Sequence, residues 1–482
     1  MIADLKPYSE YRESGLPWLR QVPGHWEVRR LRHACEMRVS NVDKHTKIGE
    51  IPVRLCNYVD VYKNERITQS TRFMAATATE DERLRFRMRL GDVLITKDSE
   101  QWNDIGVPAL VEHEASDLVC GYHLAILRPR FGLRGPFLHR ALESHFIAAQ
   151  FHVEANGVTR FGLSHGAILG VAIPLPPPDE QAAIARFLDW ANGRLERAIR
   201  AKRKVIALLN EQKQAIIHRA VTRGLDPNVP LKDSGVPWLG EIPKHWEVRK
   251  IRAFASRVTK GTTPTTLGKQ FVDSGVRFVK VESISSNRSI LENKCAFIDD
   301  ATDKLLSRSR LRANDVVVSI AGAIGRPAVI EPSLLPANTN QAVGIVSLLA
   351  HLCRPEWLSY ILASPMCLRA MTDASVQSAQ ANLSLANLGR TVIPLPPLHE
   401  QESILMSLAS ETAVLSRAIS RLEREITLLR EYRTRLVADV VTGKLDVRAA
   451  AASLPAEAPL DMESDSELET DEAEGAADEE AP

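Results

Sequence analysis

Two stretches of the chain carry apolar residues at alternating intervals of four and three positions. The first runs from Ile184 to Ile216 and the second from Ile404 to Leu436, and eight of the ten positions in each series are apolar. A repeat of 3.5 residues is typical of a coiled coil. Each stretch therefore predicts a helix of about 40 residues, or roughly 60 Å at 1.5 Å per residue.

The polar residues that interrupt these two series differ between the helices. The first series contains Lys202 and Gln212, whereas the second contains Glu411 and Glu425. We expect the helices to pack on each other in antiparallel order, with Lys202 near one of the glutamates, which would hold two flanking regions at a fixed distance. The alternative is that each helix packs on the region that precedes it.

Short apolar runs before each helix predict strands of a mixed α/β (α+β) fold. The runs are Asp92–Thr96, Leu110–Val111 and Leu124–Leu127 before the first helix, and Arg277–Val281, Asp315–Ile320 and Val343–Val346 before the second. Helical patches follow near Pro136–Gln150 and Pro355–Met371.

The chain contains one unit twice, at an offset of 220 residues. SGLPWLRQVPGHWEVRRL at Ser14–Leu31 matches SGVPWLGEIPKHWEVRKI at Ser234–Ile251 at eleven of eighteen positions. IPLPPPDEQ from Ile173 recurs as IPLPPLHEQ from Ile393, and VTRGLD from Val221 recurs as VTGKLD from Val441. Three blocks at one offset indicate a tandem duplication with an internal pseudo-two-fold repeat. We call these blocks the framework.

The regions between the framework blocks show little likeness to each other. We call them the first insert (residues 34–170) and the second insert (residues 255–390). Proline in the IPLPP hinge disfavours helix in the preceding residue, so each hinge ends an insert and starts a long helix. The expected domains are 1–178, 179–223, 224–398, 399–442 and 443–482.

The net charge of +1 hides an uneven distribution. Ala449–Pro482 contains twelve acidic residues and no Lys or Arg, so residues 1–448 carry +13. A basic body suits a polyanionic partner. The acidic stretch is rich in Glu, Asp, Ala and Pro, and we expect it to be disordered. It either competes with a polyanion for the basic surface or simply aids solubility.

Composition favours a soluble cytoplasmic protein. No run of about 18 apolar residues predicts a membrane span, and the first residues lack the apolar core of a signal peptide. The six cysteines are scattered without a CxxC pair, so reduced, buried thiols are expected and a zinc site is the alternative.

Catalytic motifs are incomplete. GTTPTTLGKQ at Gly261–Gln270 has six residues between its glycines and no Ser or Thr after Lys269, so it departs from a phosphate-binding loop. Asp273 with Glu292-x-Lys294 fits only loosely the carboxylate–carboxylate–lysine pattern of nucleases. We expect His25, His245 and His399, which lie in or beside framework blocks, to pack or form hydrogen bonds.

Together the framework blocks, their spacing, the duplication and the long helices resemble the specificity subunits of type I restriction-modification systems. DVLITKDSEQWNDIGVPALV and CGYHLAILRP in the first insert resemble one class of target-recognition domain. KGTTPT, SIAGAIGRPAVI and NTNQAVGIV in the second insert resemble another. The resemblance extends from about Ser14 to Val447, and the acidic stretch departs from it.

The resemblance implies that each insert reads one half of a split, asymmetric sequence in double-stranded DNA, while the helices fix the gap. It also implies two methyltransferase subunits on the framework, which use S-adenosylmethionine and flip an adenine from the duplex. Restriction/translocase subunits that use ATP and Mg can join. This chain would hold no cofactor and no metal, and would do no chemistry.

Polar residues at strand ends and turns are the candidates for DNA contact, because such side chains pair with base edges and phosphates. In the first insert they are Lys97, Asp98, Ser99, Trp102, Tyr122, His123 and Arg160, and in the second Lys260, Thr262, Thr263, Lys280, Ser319, Arg326, Asn340 and Gln341. Two other hypotheses remain: a coiled-coil adaptor whose inserts bind proteins, and a self-sufficient enzyme.

Overall fold

A computed structural model describes residues 5–373 and 382–455. The chain divides into two units, Met1–Arg200 with Ile426–Pro482, and Ala201–Glu425. Each unit contains one insert, the framework residues around it and part of each long helix. The predicted acidic stretch falls mostly on residues 456–482, outside the described residues.

The two long helices are Pro178–Arg223 and Leu398–Val441. Both begin at the IPLPP hinge, as predicted. Within the second unit Lys202 Nζ lies 2.6 Å from Glu425 Oε2, and Lys213 Nζ donates to Ser416 Oγ at 2.9 Å. Because the residue number falls on one helix as it rises on the other, the helices pair in antiparallel order, which confirms the prediction.

The start of each long helix also packs on its own insert. In the first unit, Phe187 and Leu188 share a core with Phe137 and Leu138 of the insert and with Leu436 of the second long helix. Each long helix therefore pairs with the other long helix and also packs on its own insert, so both of the expected arrangements occur. This arrangement gives each insert a firm base.

The two inserts share most of their sheet topology, although their sequences differ. In the first insert, one sheet has the strand order Cys35–Val39, Leu124–Pro129, Val93–Thr96, Pro108–Val111 and Arg66–Ile67, and another has the order Leu118–Cys120, Ile51–Cys56 and Met74–Ala78. In the second insert, the corresponding orders are Ala255–Lys260, Val343–Leu348, Val316–Ser319 and Pro327–Val329, and Ala337–Thr339, Val276–Val279 and Ala296–Ile298. The parallel and antiparallel pairings of the shared strands also correspond, while the edge strand Arg66–Ile67 of the first insert has no counterpart among the described strands of the second.

Helices and framework strands complete the two units. The shorter α-helices are Tyr58–Lys63, Glu80–Arg85, Gly135–Leu142, His145–Glu154, His165–Gly170, Asp300–Leu305, Pro355–Leu362, Pro365–Asp373, Leu385–Arg390 and Arg448–Ala452. Antiparallel strand pairs are Tyr11–Glu13 with Gln21–Pro23, Glu27–Arg30 with Ala172–Leu175, Leu231–Asp233 with Glu241–Pro243, Glu247–Lys250 with Val392–Leu395, and Asp98–Ser99 with Phe161–Gly162.

Each predicted helical patch contains two helices, because the chain turns near Ser144 and Ser364. One feature differs from the sequence-based expectations. The expectation of disorder from Ala449 onward is wrong for its first residues. Ala451 is 2% exposed and Leu454 is 7% exposed, because these small apolar side chains complete the first unit's core.

A buried ion pair supports the main sheet of each insert. Arg128 Nε and Nη2 donate to the two carboxylate oxygens of Asp92 at 2.8 and 2.7 Å. In the second insert, Arg257 Nη2 lies 2.7 Å from Asp315 Oδ2, and the Ser347 hydroxyl donates to Asp315 Oδ1 at 2.5 Å. These aspartates immediately precede the central strands, so each pair holds the strand that leads towards the candidate residues.

Candidate nucleic-acid interface

The framework histidines and tryptophans bind the glutamate that follows each hinge. In the first unit, Glu180 lies 2.8 Å from His25 Nε2 and accepts a bond from Trp26 Nε1 at 3.1 Å. The Tyr8 hydroxyl also donates to Glu180. These contacts use the carboxylate as a fixed acceptor at the start of the helix, and they confirm the hydrogen-bonding role predicted for His25.

The second unit repeats this arrangement with corresponding atoms. Glu400 lies 2.8 Å from His245 Nε2 and accepts from Trp246 Nε1 at 3.0 Å. The following residue, Gln401, accepts from the Arg354 backbone N–H at 2.9 Å and donates to the Leu352 carbonyl at 3.0 Å. The Glu–Gln pair after each hinge therefore ties the long helix to the framework and to the insert.

Six of the seven candidates in the first insert lie in one cluster at the end of the central strand. Asp98 Oδ2 is 2.8 Å from Lys97 Nζ and 2.9 Å from His123 Nδ1. Arg160 Nη2 is 3.4 Å from His123 Nε2. The rings of Tyr122 and His123 lie 3.6 Å apart between centroids.

Ser99 belongs to the same cluster through its backbone. It pairs with Phe161 in a short antiparallel ladder, and Asp98 pairs with Gly162, which brings the Arg160 segment beside the strand end. Trp102 lies at the side of this group, where its ring is 6.2 Å from that of His152, and it is 53% exposed. An exposed tryptophan is available for stacking.

The charges of this cluster are fixed by its hydrogen bonds. Although burial opposes it, the bonds from Lys97 and His123 hold the pKa of Asp98 below its usual range. Burial lowers the pKa of His123, while the bond to Asp98 acts in the opposite direction. A neutral His123 can donate from Nδ1 to Asp98 and accept from Arg160 at Nε2. The cluster thus presents cations, one carboxylate and aromatic rings together.

Two tyrosines that were not predicted belong beside this cluster. Tyr58 and Tyr62 stack with centroids 5.5 Å apart, and Tyr58 meets His123 edge to face at 6.5 Å. The Tyr62 hydroxyl donates to Asp104 Oδ2 at 2.6 Å, and this bond together with burial raises the pKa of Tyr62 to about 12. Their spacing of four residues in NYVDVYK, one helical turn, could have revealed them.

The candidates of the second insert gather around the loop between Lys260 and Thr263. The Gly261 N–H donates to the Asn340 carbonyl at 3.0 Å, and the Thr263 hydroxyl donates to Gln341 Oε1. A Cβ on Gly261 would lie 1.9 Å from the Thr339 carbonyl oxygen, so only glycine allows this close approach.

Lys280 and Arg326 lie at strand ends in two different sheets of the second insert. Val279 pairs with Thr339 in a parallel ladder, so Lys280 and Asn340 both follow directly from that pair. Lys280 Nζ is 2.6 Å from Glu282 Oε1 and 5.9 Å from the centre of the Phe271 ring. Arg326 is exposed.

Ser319 differs from the other candidates because it is fully buried. Its hydroxyl accepts from the Arg326 backbone N–H at 2.9 Å and donates to the Ala323 carbonyl. The side chain therefore closes the turn between two strands and positions Arg326. Its hydroxyl has no free path to a ligand in this conformation.

An ionic network fixes the first insert on the long helices. Asp189 Oδ1 accepts from Arg140 Nη2 at 2.8 Å and lies 2.7 Å from Arg66 Nη2. Arg140 also donates to Glu143 Oε2 at 2.7 Å. Arg140 and Arg66 belong to the insert and Asp189 to the first long helix, so the network sets the orientation of the insert on its base.

The described residues offer little for metal or membrane chemistry. Across residues 5–373 and 382–455, His, Cys, Asp and Glu side chains form no group of three placed to hold a metal ion. All six cysteines are free, and burial raises the pKa of Cys35, Cys353 and Cys367 to about 12. Within the same ranges, no helix is both long enough and apolar enough to cross a bilayer.

Comparison with known proteins supports one family. Residues 243–426 match the family model of the type I restriction modification DNA specificity domain. A putative type I restriction enzyme MjaX specificity subunit from Methanocaldococcus jannaschii is 22% identical over 89% of this chain and 95% of its own length. The type I restriction enzyme EcoBI specificity subunit from Escherichia coli is 25% identical over 56% of this chain and 57% of its own length.

A solved structure shows the same fold. A chain from a structural study of complex assembly and conformational transition of the type I R-M system superposes with a TM-score of 0.64 at 16% identity. The superposition covers 88% of this chain and 99% of that one. The family model, the relatives and the fold agree with the framework seen in the sequence. The chain thus contains a match to the type I restriction modification DNA specificity domain over residues 243–426, and it is similar to type I restriction enzyme specificity subunits over most of its length.

Proposed function

We propose that this chain is the sequence-specific DNA-binding subunit of a type I restriction-modification complex, and that each insert reads one half of an asymmetric bipartite target. The observation that carries the proposal is that two inserts with a shared core of sheet topology have different polar groups at corresponding strand ends. The shared topology gives both inserts the same scaffold, while different side chains allow them to recognise different DNA sequences. Identical inserts would instead read identical half-sites.

The first insert offers three kinds of group that suit a duplex. Lys97 and Arg160 can neutralise phosphates, which makes binding depend on salt. Asp98 is an acceptor for the exocyclic amino group of a base, because a carboxylate accepts from cytosine N4. Trp102 and Tyr122 supply apolar surface at the rim. Phosphate contacts would set the register, and Asp98 would contribute to base discrimination.

The second insert offers a different set. The side chains of Asn340 and Gln341 can pair with adenine through two bonds each, and Thr262 and Thr263 can donate or accept. Lys260, Lys280 and Arg326 would contact phosphates or guanine. Since the strand-end candidates of the second insert include amides and those of the first include a carboxylate and a histidine, we infer that the two half-sites differ.

The framework supports docking of one partner type at two places. Ser14–Arg29 and Ser234–Arg249 have the same pattern of buried, half-buried and exposed positions, residue for residue. Pro17 and Glu27 are exposed, and their counterparts Pro237 and Glu247 are identical. Exposed residues retained in both copies are not needed for the core. We infer that two methyltransferase subunits dock there.

Chemistry would then belong to the partners. The methyltransferase subunits would bind S-adenosylmethionine and methylate a flipped adenine in each half-site. Restriction/translocase subunits would supply the ATP- and Mg-dependent steps. This chain would carry no cofactor, and the paired long helices would set the gap between the half-sites. The complex would act in the cytoplasm, where its DNA lies.

The test is to co-express the chain with its methyltransferase and map N6-methyladenine across the host genome. A split, asymmetric motif with a fixed gap is expected. Replacing residues 34–170 by the insert of another specificity subunit should change one half-site and leave the other half and the gap unchanged. If both half-sites changed, the modular arrangement would be wrong.

A pair of point variants separates DNA reading from protein binding. Arg160→Gln in the cluster of the first insert should weaken binding to a duplex that carries the mapped motif, and should lower its dependence on salt. Arg29→Gln, a framework variant with the same charge change, should leave DNA binding intact. A stable complex with methyltransferase that methylates no motif would favour the coiled-coil adaptor instead.

A further inference from the structure

We propose that the acidic tail of this chain (residues 456–482) docks on three arginines of the first long helix, Arg194, Arg197 and Arg200. We call these three residues the arginine stripe. This contact lies within the chain and is separate from the proposed function. The acidic tail follows directly from Pro455, whose position the structure gives.

The tail begins beside the first long helix. The short helix Arg448–Ala452 packs through Ala451 on the core of the first unit. Arg186 Nη2 then donates to the carbonyls of Leu454 and Pro455 at 2.9 and 3.1 Å. The last described residue is therefore held by a side chain of the same helix that carries the arginine stripe.

The arginine stripe is exposed and poor in counter-charges. Arg194, Arg197 and Arg200 are all exposed, and none of them has an ion pair with a carboxylate within residues 5–373 and 382–455. Arg194 lies over the Trp190 ring at 5.1 Å, which holds its guanidinium on this side of the helix. The neighbouring Glu196 is used by Arg433 and so does not neutralise the stripe.

The geometry brings the stripe within reach of the tail. Arg197 and Arg200 are eleven and fourteen residues beyond Arg186, spacings that return to nearly the same face of a helix with 3.6 residues per turn. Arg200 lies about 21 Å from Arg186 along the axis. A flexible chain of the tail's length spans roughly 25–30 Å, so the tail can cover the stripe.

Charge and the internal repeat favour this occupant. The tail carries twelve acidic residues and no Lys or Arg, and the first of them, Glu457, follows Pro455 by two positions. At an offset of 220, the stripe corresponds to Val414, Arg417 and Ser420. Three arginines at these positions therefore occur only in the half of the repeat beside which the tail begins.

The test uses a fluorescent peptide of residues 456–482 and a chain that ends at Pro455. At low salt the peptide should bind this shortened chain, and the binding should disappear at about 0.5 M salt, where charges are screened within a few ångströms. The full chain should bind the peptide much more weakly, because its own tail occupies the stripe. A peptide with every Asp and Glu replaced by Asn and Gln should not bind.

Two triple variants of the shortened chain locate the contact. R194Q/R197Q/R200Q should weaken peptide binding about fivefold or more. The control K244Q/K250Q/R252Q removes the same charge from exposed framework positions of the second unit and should bind normally. Equal binding by both variants, or equal binding by the full and shortened chains, would overturn the proposal. No DNA is present, so this failure is distinct from failure of the proposed function.

Discussion

Replacing Asp189 by asparagine should loosen the first insert from the long helices. The carboxylate oxygen Oδ1 is shared by Arg140 and Arg66, whose side chains are 3% and 20% exposed. Asparagine keeps an acceptor in place and removes the negative charge. Two guanidinium groups would then share a poorly hydrated site with less compensation, which is the costly way to break a buried pair.

The magnitude follows from what remains around the arginines. Removing one partner of a buried pair costs about 3–5 kcal/mol. Asp189 is one-quarter exposed, and Arg140 keeps Glu143 at 2.7 Å and Glu65 at 3.3 Å. We therefore expect about 2–3 kcal/mol for Asp189→Asn, which corresponds to a roughly 30- to 150-fold increase in local opening.

The network also sets a pH dependence. Although burial opposes it, Arg140 and Arg66 hold the pKa of Asp189 below its usual range. A carboxylate with a lowered folded-state pKa contributes stability above its unfolded value near 4, and loses it as the pH falls through the folded value. Wild-type protein should therefore lose this stabilisation only in acid, and Asp189→Asn should remove that part of the acid dependence.

Hydrogen exchange by mass spectrometry measures this opening locally, which suits a chain that divides into two units. Peptides covering Gly135–Leu142 and the start of the first long helix should exchange faster in the variant. Glu80→Gln is the matched control, since its pair with Arg83 is exposed, and it should change nothing in these peptides. Unchanged protection in Asp189→Asn would refute the reasoning.

Three further perturbations test the role of the paired long helices and the polar cluster of the first insert. Duplicating residues 199–205 together with 422–428 keeps the helix register and lengthens the helix pair by about 10.5 Å. Methylation mapping should then show a gap between half-sites that is longer by up to about three base pairs. An unchanged gap in an active complex would contradict the proposal that the helices set this gap. Lys202→Glu should lower the melting temperature, and adding Glu425→Lys should restore part of it, whereas an additive loss would mean that the pair is not coupled. Burial keeps His123 neutral near pH 7, so DNA affinity should rise as the pH falls towards 5.5 and the ring becomes cationic. His123→Gln should flatten that rise. Identical pH profiles of wild type and variant would show that His123 does not titrate at the interface.

The two framework glutamates are held by the same set of contacts. Glu180 receives bonds from His25 and Trp26 at the start of a helix, and Glu400 receives the same bonds from His245 and Trp246. The repeated geometry gives the two hinges the same local structure.

The long helices were the most predictable part of the fold. Their apolar repeat requires a partner face, and a lysine in one series against glutamates in the other indicated the pairing. Lys202 pairs with Glu425 and not with Glu411, because the antiparallel register places Glu425 opposite Lys202. Register depends on where both helices start, and the hinges set those starts.

The duplication, the framework, the hinges and the resemblance to a known family were all evident in the amino-acid sequence. These are properties of repeated local signals, in which proline geometry and apolar spacing act within a few residues of each other. The strand ends of the inserts were also visible as short apolar runs followed by polar residues. That pattern identifies Lys97, Asp98 and His123 as candidates for DNA contact without knowledge of the fold.

Which of these polar residues contact each other, and which are buried, depends on long-range packing in the folded chain. Asp98 and His123 are 25 positions apart and come together because their strands are neighbours in the sheet. Ser319 turns inward to close a turn, while Tyr58 and Tyr62 join the cluster from a helix. Sheet pairing between distant segments has no local signature, so the common topology of two dissimilar inserts emerged only from the fold.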